Sequence, residues 1–180
     1  VKRGEAFDES FDCEDGNLQK TKSGKVYEGT VLKFKSDVLY NKLTDQLIEV
    51  LTKLHLSGGI DSQIGAWQNS LSRMRDVLEI AQTPNDCKVA IEYNIPQTCK
   101  RVDFMILGSD NNNKNNVVII ELKQWSQVQK VDSLNKVHTM VAKGVFEDHF
   151  HPSYQAYSYA KIIENFNQDI YENGIKLEPC

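Results

Sequence analysis

The run Val117–Ile120, with the sequence VVII, is the feature that most restricts the fold of this chain. Consecutive apolar, β-branched residues predict a strand that is buried on both faces, and such a strand belongs in the interior of a sheet. Two charged residues, Glu121 and Lys123, follow it directly. Their spacing predicts that both side chains point to the same side of the strand. Because buried charges are costly unless they pair or bind a partner, this strand end is a candidate site.

A second strand is predicted at Arg101–Leu107, where apolar and polar residues alternate with a period of two. Its apolar positions on one face are Val102, Phe104 and Ile106. If this strand lies beside Val117–Ile120, Asp103 converges with Glu121 and Lys123. Two carboxylates and a lysine suit a hard divalent cation and an activated water, so we expect Mg²⁺ or Mn²⁺ here.

The rest of the chain alternates between helical and extended patterns. Its 180 residues suit one domain, and its composition of 40% hydrophobic and 26% charged residues is ordinary for a globular protein. No apolar run approaches the ~20 residues of a membrane span, so we expect a cytoplasmic protein. Residues 1–25 are polar and acidic and are predicted to be a flexible extension. The domain would then cover residues 26–180 and form the front of a longer chain.

Hydrophobic spacing predicts an α/β or α+β fold with a mixed sheet. Residues Lys25–Phe34 are predicted to form a short strand or an extended lead-in. The predicted helices are Ser36–Leu56, Asp61–Ala81 and Pro152–Asn167. Besides the two strands above, strands are predicted at Lys88–Ile95 and Ile175–Leu177, with a hairpin formed by Val137–Val141 and Val145–His149. In Lys88–Ile95, we expect one face to carry Val89, Ile91, Tyr93 and Ile95.

Asp103, a spacer of 17 residues and Glu121-Leu122-Lys123 resemble the D…ExK signature of the PD-(D/E)XK nuclease superfamily. Gln155 and Tyr159 share one face of a predicted helix and resemble the QxxxY motif of its RecB-like branch. Three segments resemble the nuclease-like domain that precedes a superfamily-1 helicase of the Schlafen type in many bacterial proteins. They are IPQTCKRVDFMI, VVIIELKQW and HPSYQAYSYAKIIENFN, and the resemblance covers roughly residues 27–180.

This resemblance implies a restriction-endonuclease-like core, in which helices flank a mixed central sheet. Asp103 and Glu121 would bind the metal, and the resemblance adds the Leu122 carbonyl as a third ligand. Lys123 would orient the attacking water or help to deprotonate it. Gln155 and Tyr159 would hold a phosphate oxygen or the Lys123 side chain, or else serve ordinary helix packing.

Four further residues are candidates. Glu92 lies beside Asp103 if their strands are antiparallel, and it is either a further metal ligand or an acid that supports the ligands. Lys100 and Arg101 precede Asp103 and could bind the nucleic-acid backbone, which positions the ligand without reading its sequence. His151 is a phosphate contact or the start of the last helix.

Two functions remain open. The first is a Mg²⁺-dependent nuclease that cuts DNA rather than RNA and works with a helicase in the same longer chain, in anti-phage defence or DNA repair. The second is an inactive nuclease-fold module that binds nucleic acid or a partner protein. The complete D…ExK set favours the first. The net charge of −4 favours the second, as does the lack of a clear acidic ligand in the second helix, which offers Gln63, Asn69, Ser70 and Glu79.

Overall fold

The computed structural model describes residues 25–53, 60–96, 98 and 100–180. The predicted extension therefore lies outside the described residues, apart from Lys25, which begins the first strand. The elements are, in chain order, β1 Lys25–Thr30, α1 Val31–Leu39, α2 Lys42–Lys53, α3 Ile60–Ile80, β2 Lys88–Asn94, β3 Arg101–Ser109, β4 Asn115–Ile120, β5 Val128–Lys130, β6 Lys136–Ala142, β7 Val145–Phe150, α4 Pro152–Phe166, α5 Gln168–Glu172 and β8 Lys176–Pro179.

Five of these strands form a mixed sheet in the order β1-β2-β3-β4-β8. The first three pairings are antiparallel, whereas β4 and β8 are parallel. A parallel pair needs a long crossover, and the chain that contains α4 and α5 provides it. The predicted α+β class with a mixed central sheet is confirmed, and β4 lies inside the sheet as its apolar sequence predicts.

Helices cover both faces of this sheet and create two hydrophobic cores. The first core joins α1, α2 and α3 to one face, and Phe34 of α1 meets Phe104 of β3 edge to face, with ring centroids 5.2 Å apart. The second core joins α4 and α5 to the other face around Ile119 and Ile163. Strand β4 contributes to both cores, and Glu121 follows directly after its last residue, Ile120.

The alternation of β2 and β3 reverses in the middle of the two strands. Ile91 belongs to the first core, whereas Tyr93 packs against the second, so the prediction of one shared apolar face is wrong. The cause is Glu92, whose φ of 54° is left-handed and interrupts the pleat. The neighbouring strand follows, because Val102 lies in the second core and Phe104 in the first.

The prediction of one helix at Ser36–Leu56 is wrong, because the chain forms two helices there, α1 and α2. The first starts earlier, where the Thr30 hydroxyl accepts a hydrogen bond of 3.1 Å from the Lys33 N–H and caps α1. It ends before Asn41, which has a φ of 56°, a left-handed value that asparagine tolerates better than most residues. The predicted end at Leu56 lies outside the described residues.

The second sheet is small and has the order β5-β6-β7. Its β6–β7 hairpin is the predicted one, and the turn holds Gly144 at a φ of 78°. Strand β5, a three-residue segment without an apolar pattern, was not predicted. No helix in the described segments is long and apolar enough to cross a membrane.

Candidate active site

Three carboxylates lie in a row across β2, β3 and the end of β4. The antiparallel register on either side of Glu92 places it opposite Asp103. The register of β3 and β4 places Asp103 beside Glu121, one position past the last strand residue. The charges interact, because burial raises the pKa of both Glu92 and Glu121 and the charge of Asp103 adds to the rise. The structure therefore places the acids that the sequence singles out on adjacent strands.

Glu121 is the most exceptional of the three. Its side chain is 4% exposed, and the Lys123 Nζ donates a hydrogen bond of 2.7 Å to its Oε1. Its Oε2 is buried and has no hydrogen-bond partner among the described residues. Burial and then the charge of Asp103 raise the pKa of Glu121 to about 7, although Lys123 opposes the rise. A buried oxygen without a donor is the group expected to contact a bound cation.

Asp103 is held from the backbone of the neighbouring segment. The Leu122 N–H donates a hydrogen bond of 2.8 Å to Asp103 Oδ2, which fastens the end of β4 to β3. Burial raises the pKa of Asp103, while the Leu122 N–H, Lys123 and Arg101 oppose that rise. The same contact brings the Leu122 backbone, whose carbonyl is the expected third ligand, beside the carboxylate.

Glu92 has a different environment from the other two acids. The Trp67 Nε1 of α3 donates a hydrogen bond of 2.9 Å to its Oε1, and Arg101 Nε forms an ion pair with its Oε2. Burial raises the pKa of Glu92, and Arg101 opposes the rise. Arg101, expected to bind a nucleic-acid backbone, is thus also the counter-ion of a buried acid.

Gln155 and Tyr159 face each other on α4, as their spacing predicts. The Gln155 Nε2 donates a hydrogen bond of 3.0 Å to the Tyr159 hydroxyl, and Tyr159 is part of the second core. Burial raises the pKa of Tyr159, and the charges of Glu121 and Asp103 add to the rise. The Lys100 Nζ lies 5.9 Å from the centre of the Tyr159 ring. The motif therefore lies beside the carboxylate row and also packs in the core.

His151 lies at the N-terminus of α4, where its Nδ1 accepts a hydrogen bond of 3.2 Å from the Ser153 N–H. The helix-start alternative is thus confirmed, and the phosphate contact stays a prediction. Of the α3 candidates, Glu79 forms an ion pair of 2.6 Å with Lys35 on α1. The hydroxyl of Ser70 accepts a hydrogen bond of 2.8 Å from Gln124.

Trp67 is the contribution of α3 to the site that sequence reasoning missed. It shares an apolar stripe of α3 with Leu71, Met74 and Leu78, which predicts a core position, and it is buried. The available signal was chemical, because a buried indole N–H needs an acceptor and a glutamate on the sheet that α3 covers can supply one. On the other side of the row, the Lys123 Nζ lies 5.9 Å from the ring of Trp125, which lies against His149 of the small sheet.

Asp103 and Glu121 fit a divalent cation better than Glu92 does. Within the described segments, no three His, Cys, Asp or Glu side chains converge to hold a metal ion. Two carboxylates and the Leu122 carbonyl nevertheless suit Mg²⁺, which takes oxygen ligands and keeps several waters. Glu92 offers neither oxygen freely to this ion, because Oε1 accepts from Trp67 and Oε2 forms an ion pair with Arg101, without a hydrogen bond among the described residues.

The chain matches no family model, no curated protein and no solved structure.

Proposed function

We propose that this chain is a metal-dependent nuclease domain that hydrolyses phosphodiester bonds of DNA. The observation that carries the proposal is the state of Glu121. One carboxylate oxygen is bound by Lys123, and the other is buried near Asp103 and has no donor in the described part of the chain. Two like charges in a buried place repel each other, and a shared divalent cation would remove that repulsion.

Asp103 and Glu121 would hold Mg²⁺ or Mn²⁺, and the ion would neutralise phosphate charge and lower the pKa of water. In hydrolysis, a water oxygen bonds to phosphorus, one ester bond from phosphorus breaks, and the released oxygen takes up a proton. Lys123, fixed by Glu121, would orient the water and stabilise the charge that develops on the phosphate oxygens. Gln155 and Tyr159 would hold a phosphate oxygen from the α4 side.

DNA as the substrate and a helicase in the same longer chain are expectations that rest on the resemblance to the nuclease-like domain that precedes a superfamily-1 helicase. The site supports a nucleic-acid backbone as ligand, because Lys100 lies over the Tyr159 ring and Arg101 lies beside the carboxylates. These cations would contact phosphates and position the strand without reading its bases.

A second candidate is an inactive nuclease-fold module that binds nucleic acid or a partner protein. In the part of the chain that the structure describes, no third acidic side chain joins Asp103 and Glu121 around a common point. Lys123 already neutralises one oxygen of Glu121. Such a module would bind nucleic acid through Lys100 and Arg101 and leave it intact.

Cleavage of labelled single-stranded DNA, double-stranded DNA and RNA in Mg²⁺ or Mn²⁺ tests the proposal. The variants are Asp103→Asn and Lys123→Met, with Lys143→Met, in the β6–β7 turn, as the matched control. If the chain is a nuclease, the wild type and Lys143→Met should cut in a metal-dependent way. The cleavage rate of the two site variants should fall by ~10²–10⁴-fold. Equal cutting by all variants would contradict the assignment. Salt-sensitive binding without cutting would favour the module.

A further inference from the structure

Glu92 is the acid of the row that contacts both an indole N–H and a guanidinium, although its Oε2 forms an ion pair and no hydrogen bond among the described residues. Trp67 donates to Oε1 at 2.9 Å, and Arg101 pairs with Oε2 through Nε. Its side chain is 5% exposed, and its backbone is left-handed, a conformation that glutamate rarely adopts. Strained residues that persist at a site are held in place by their surroundings and are typical of functional positions.

We propose that Glu92 is a positioning residue that fixes the Arg101 guanidinium for a phosphate of the nucleic-acid strand, and that it does not bind the metal. Trp67 completes the arrangement by holding the carboxylate. The inference rests on the proposed function for the identity of the ligand, and it adds a role for each of these three residues.

Arg101 has the geometry that this role needs. Its Nε pairs with Glu92, and 31% of its side chain is exposed, so Arg101 is anchored on one side and accessible to solvent. Its charge reaches Asp103 and Tyr159, because it opposes the rise in the pKa of both groups. A planar guanidinium with several donors suits phosphate oxygens, and an arginine anchored beforehand loses less freedom on binding.

The arrangement of Glu92 also argues against a metal-ligand role. Turning its carboxylate toward Asp103 would break both present contacts and leave the buried Trp67 N–H without an acceptor. The described residues contain no group of three acidic, His or Cys side chains that could hold a metal ion, so Glu92 does not complete a three-acid site with Asp103 and Glu121.

The test compares Glu92→Gln, Arg101→Met and their double variant with Glu121→Gln. Calorimetric titration with Mn²⁺ should give Glu92→Gln the wild-type affinity within about twofold, while Glu121→Gln loses about tenfold or more. In the cleavage assay, Glu92→Gln and Arg101→Met should each raise KM for DNA by about tenfold with a smaller effect on kcat. The double variant should be no worse than either single one. A loss of Mn²⁺ affinity in Glu92→Gln equal to that in Glu121→Gln would overturn the proposal.

Two further measurements do not depend on cleavage. The chain has two tryptophans, so its indole N–H resonances are separable, and Trp67→Phe assigns them. Glu92→Gln should shift the Trp67 resonance and leave that of Trp125 in place, and an unmoved Trp67 resonance would count against the contact. Arg101→Lys keeps the charge without the Nε donor, so weaker DNA binding supports an anchored guanidinium and wild-type binding overturns it.

Failure of the proposed function can be told apart from failure of this inference. If the wild type neither binds Mn²⁺ nor cuts DNA, the nuclease proposal fails. DNA titrations in metal-free buffer then still decide the role of Glu92. Equal weakening in Glu92→Gln and Arg101→Met supports it, and unchanged binding in Glu92→Gln overturns it.

Discussion

Lys123 contacts only one of the two carboxylate oxygens of Glu121, at 2.7 Å, and the other is buried with no donor among the residues that the structure describes. Burial and the charge of Asp103 then outweigh the attraction of the lysine, and the pKa of Glu121 rises from its ordinary value of 4.5 to about 7. Near neutral pH, this group is therefore divided between its protonated and charged forms, and a bound cation would have to displace the proton.

We expect the affinity of the protein for Mn²⁺ to rise between pH 6 and pH 8. A metal ligand must be deprotonated, so binding below a pKa of about 7 releases a proton and is weakened by acid. Titration calorimetry in two buffers of different ionisation enthalpy would measure both the affinity and the proton release. Glu121→Gln should bind weakly with little pH dependence. An affinity that is constant over this range in the wild type would contradict the prediction.

The metal-free protein should lose stability relative to Glu121→Gln as the pH rises from 4.5 to 7. The folded-state pKa of Glu121 lies above its unfolded value, so the folded state holds a proton that the unfolded state releases. This contribution is fully present below pH 4.5 and is lost as the pH passes about 7. Urea unfolding at each pH should show a relative change on the order of 1–3 kcal/mol. Parallel curves for the two proteins would refute it.

His151 can be tested as a helix cap and as a phosphate contact with two substitutions. Its Nδ1 accepts from the Ser153 N–H, so His151→Ala should lower the free energy of unfolding by ~0.5–2 kcal/mol. Asparagine also caps helices, so His151→Asn should keep most of that stability. The cleavage rate of His151→Asn then measures what the imidazole contributes to activity apart from capping the helix. Wild-type cleavage means that the residue is a cap alone, and a clear rise in KM means that it also contacts the substrate.

Tyr159→Phe should reduce cleavage by about tenfold, because it removes the hydroxyl that Gln155 holds beside the carboxylates. The ring stays in the second core, so we expect the free energy of unfolding to fall by only ~1 kcal/mol. Tyr157→Phe on the exposed side of the same helix is the matched control and should behave as wild type. Cleavage at the wild-type rate in Tyr159→Phe would assign the residue to packing.

Two glycines provide a test of the packing around the sheet. A Cβ on Gly108 would lie 2.7 Å from the Cys87 Sγ, so Gly108→Ala should destabilise the protein by ~1–3 kcal/mol. A Cβ on Gly65 in α3 would meet nothing within 4 Å, and Gly65→Ala should stabilise the protein by ~0.5–1 kcal/mol. Thermal unfolding of both variants measures the contrast, and equal shifts would contradict the close approach at Gly108.

Most of the sheet could be predicted from the sequence because its signals are local. The apolar run of β4, the hairpin turn at Gly144 and the crossover helix α4 all appear in the structure where hydrophobic spacing places them. The convergence of Asp103, Glu121 and Lys123 was also predictable, since it needs only that β3 and β4 be neighbours. The metal and the reaction stay predictions.

The misses have a common physical cause, which is that a backbone dihedral angle leaves little trace in a hydrophobic pattern. Asn41 and Glu92 both adopt left-handed values of φ. Asn41 divides the predicted helix Ser36–Leu56 into two helices, and Glu92 reverses the faces of β2. Neither is a glycine, so neither carries the usual sequence signal for such a conformation. The Trp67–Glu92 hydrogen bond depends on that reversal and was hidden for the same reason.

The left-handed residue in β2 connects the packing of the helical layers to the site. Before Glu92, Val89 and Ile91 pack in the first core and Ala90 packs in the second, whereas after it Tyr93 packs against the second core. Glu92 therefore lies where the two faces of β2 exchange, and its carboxylate is paired with Arg101. A substitution that changes the packing of either layer beside this point should shift the carboxylate, and Arg101 with it. Remote core substitutions near Ile91 are thus expected to be felt at the site.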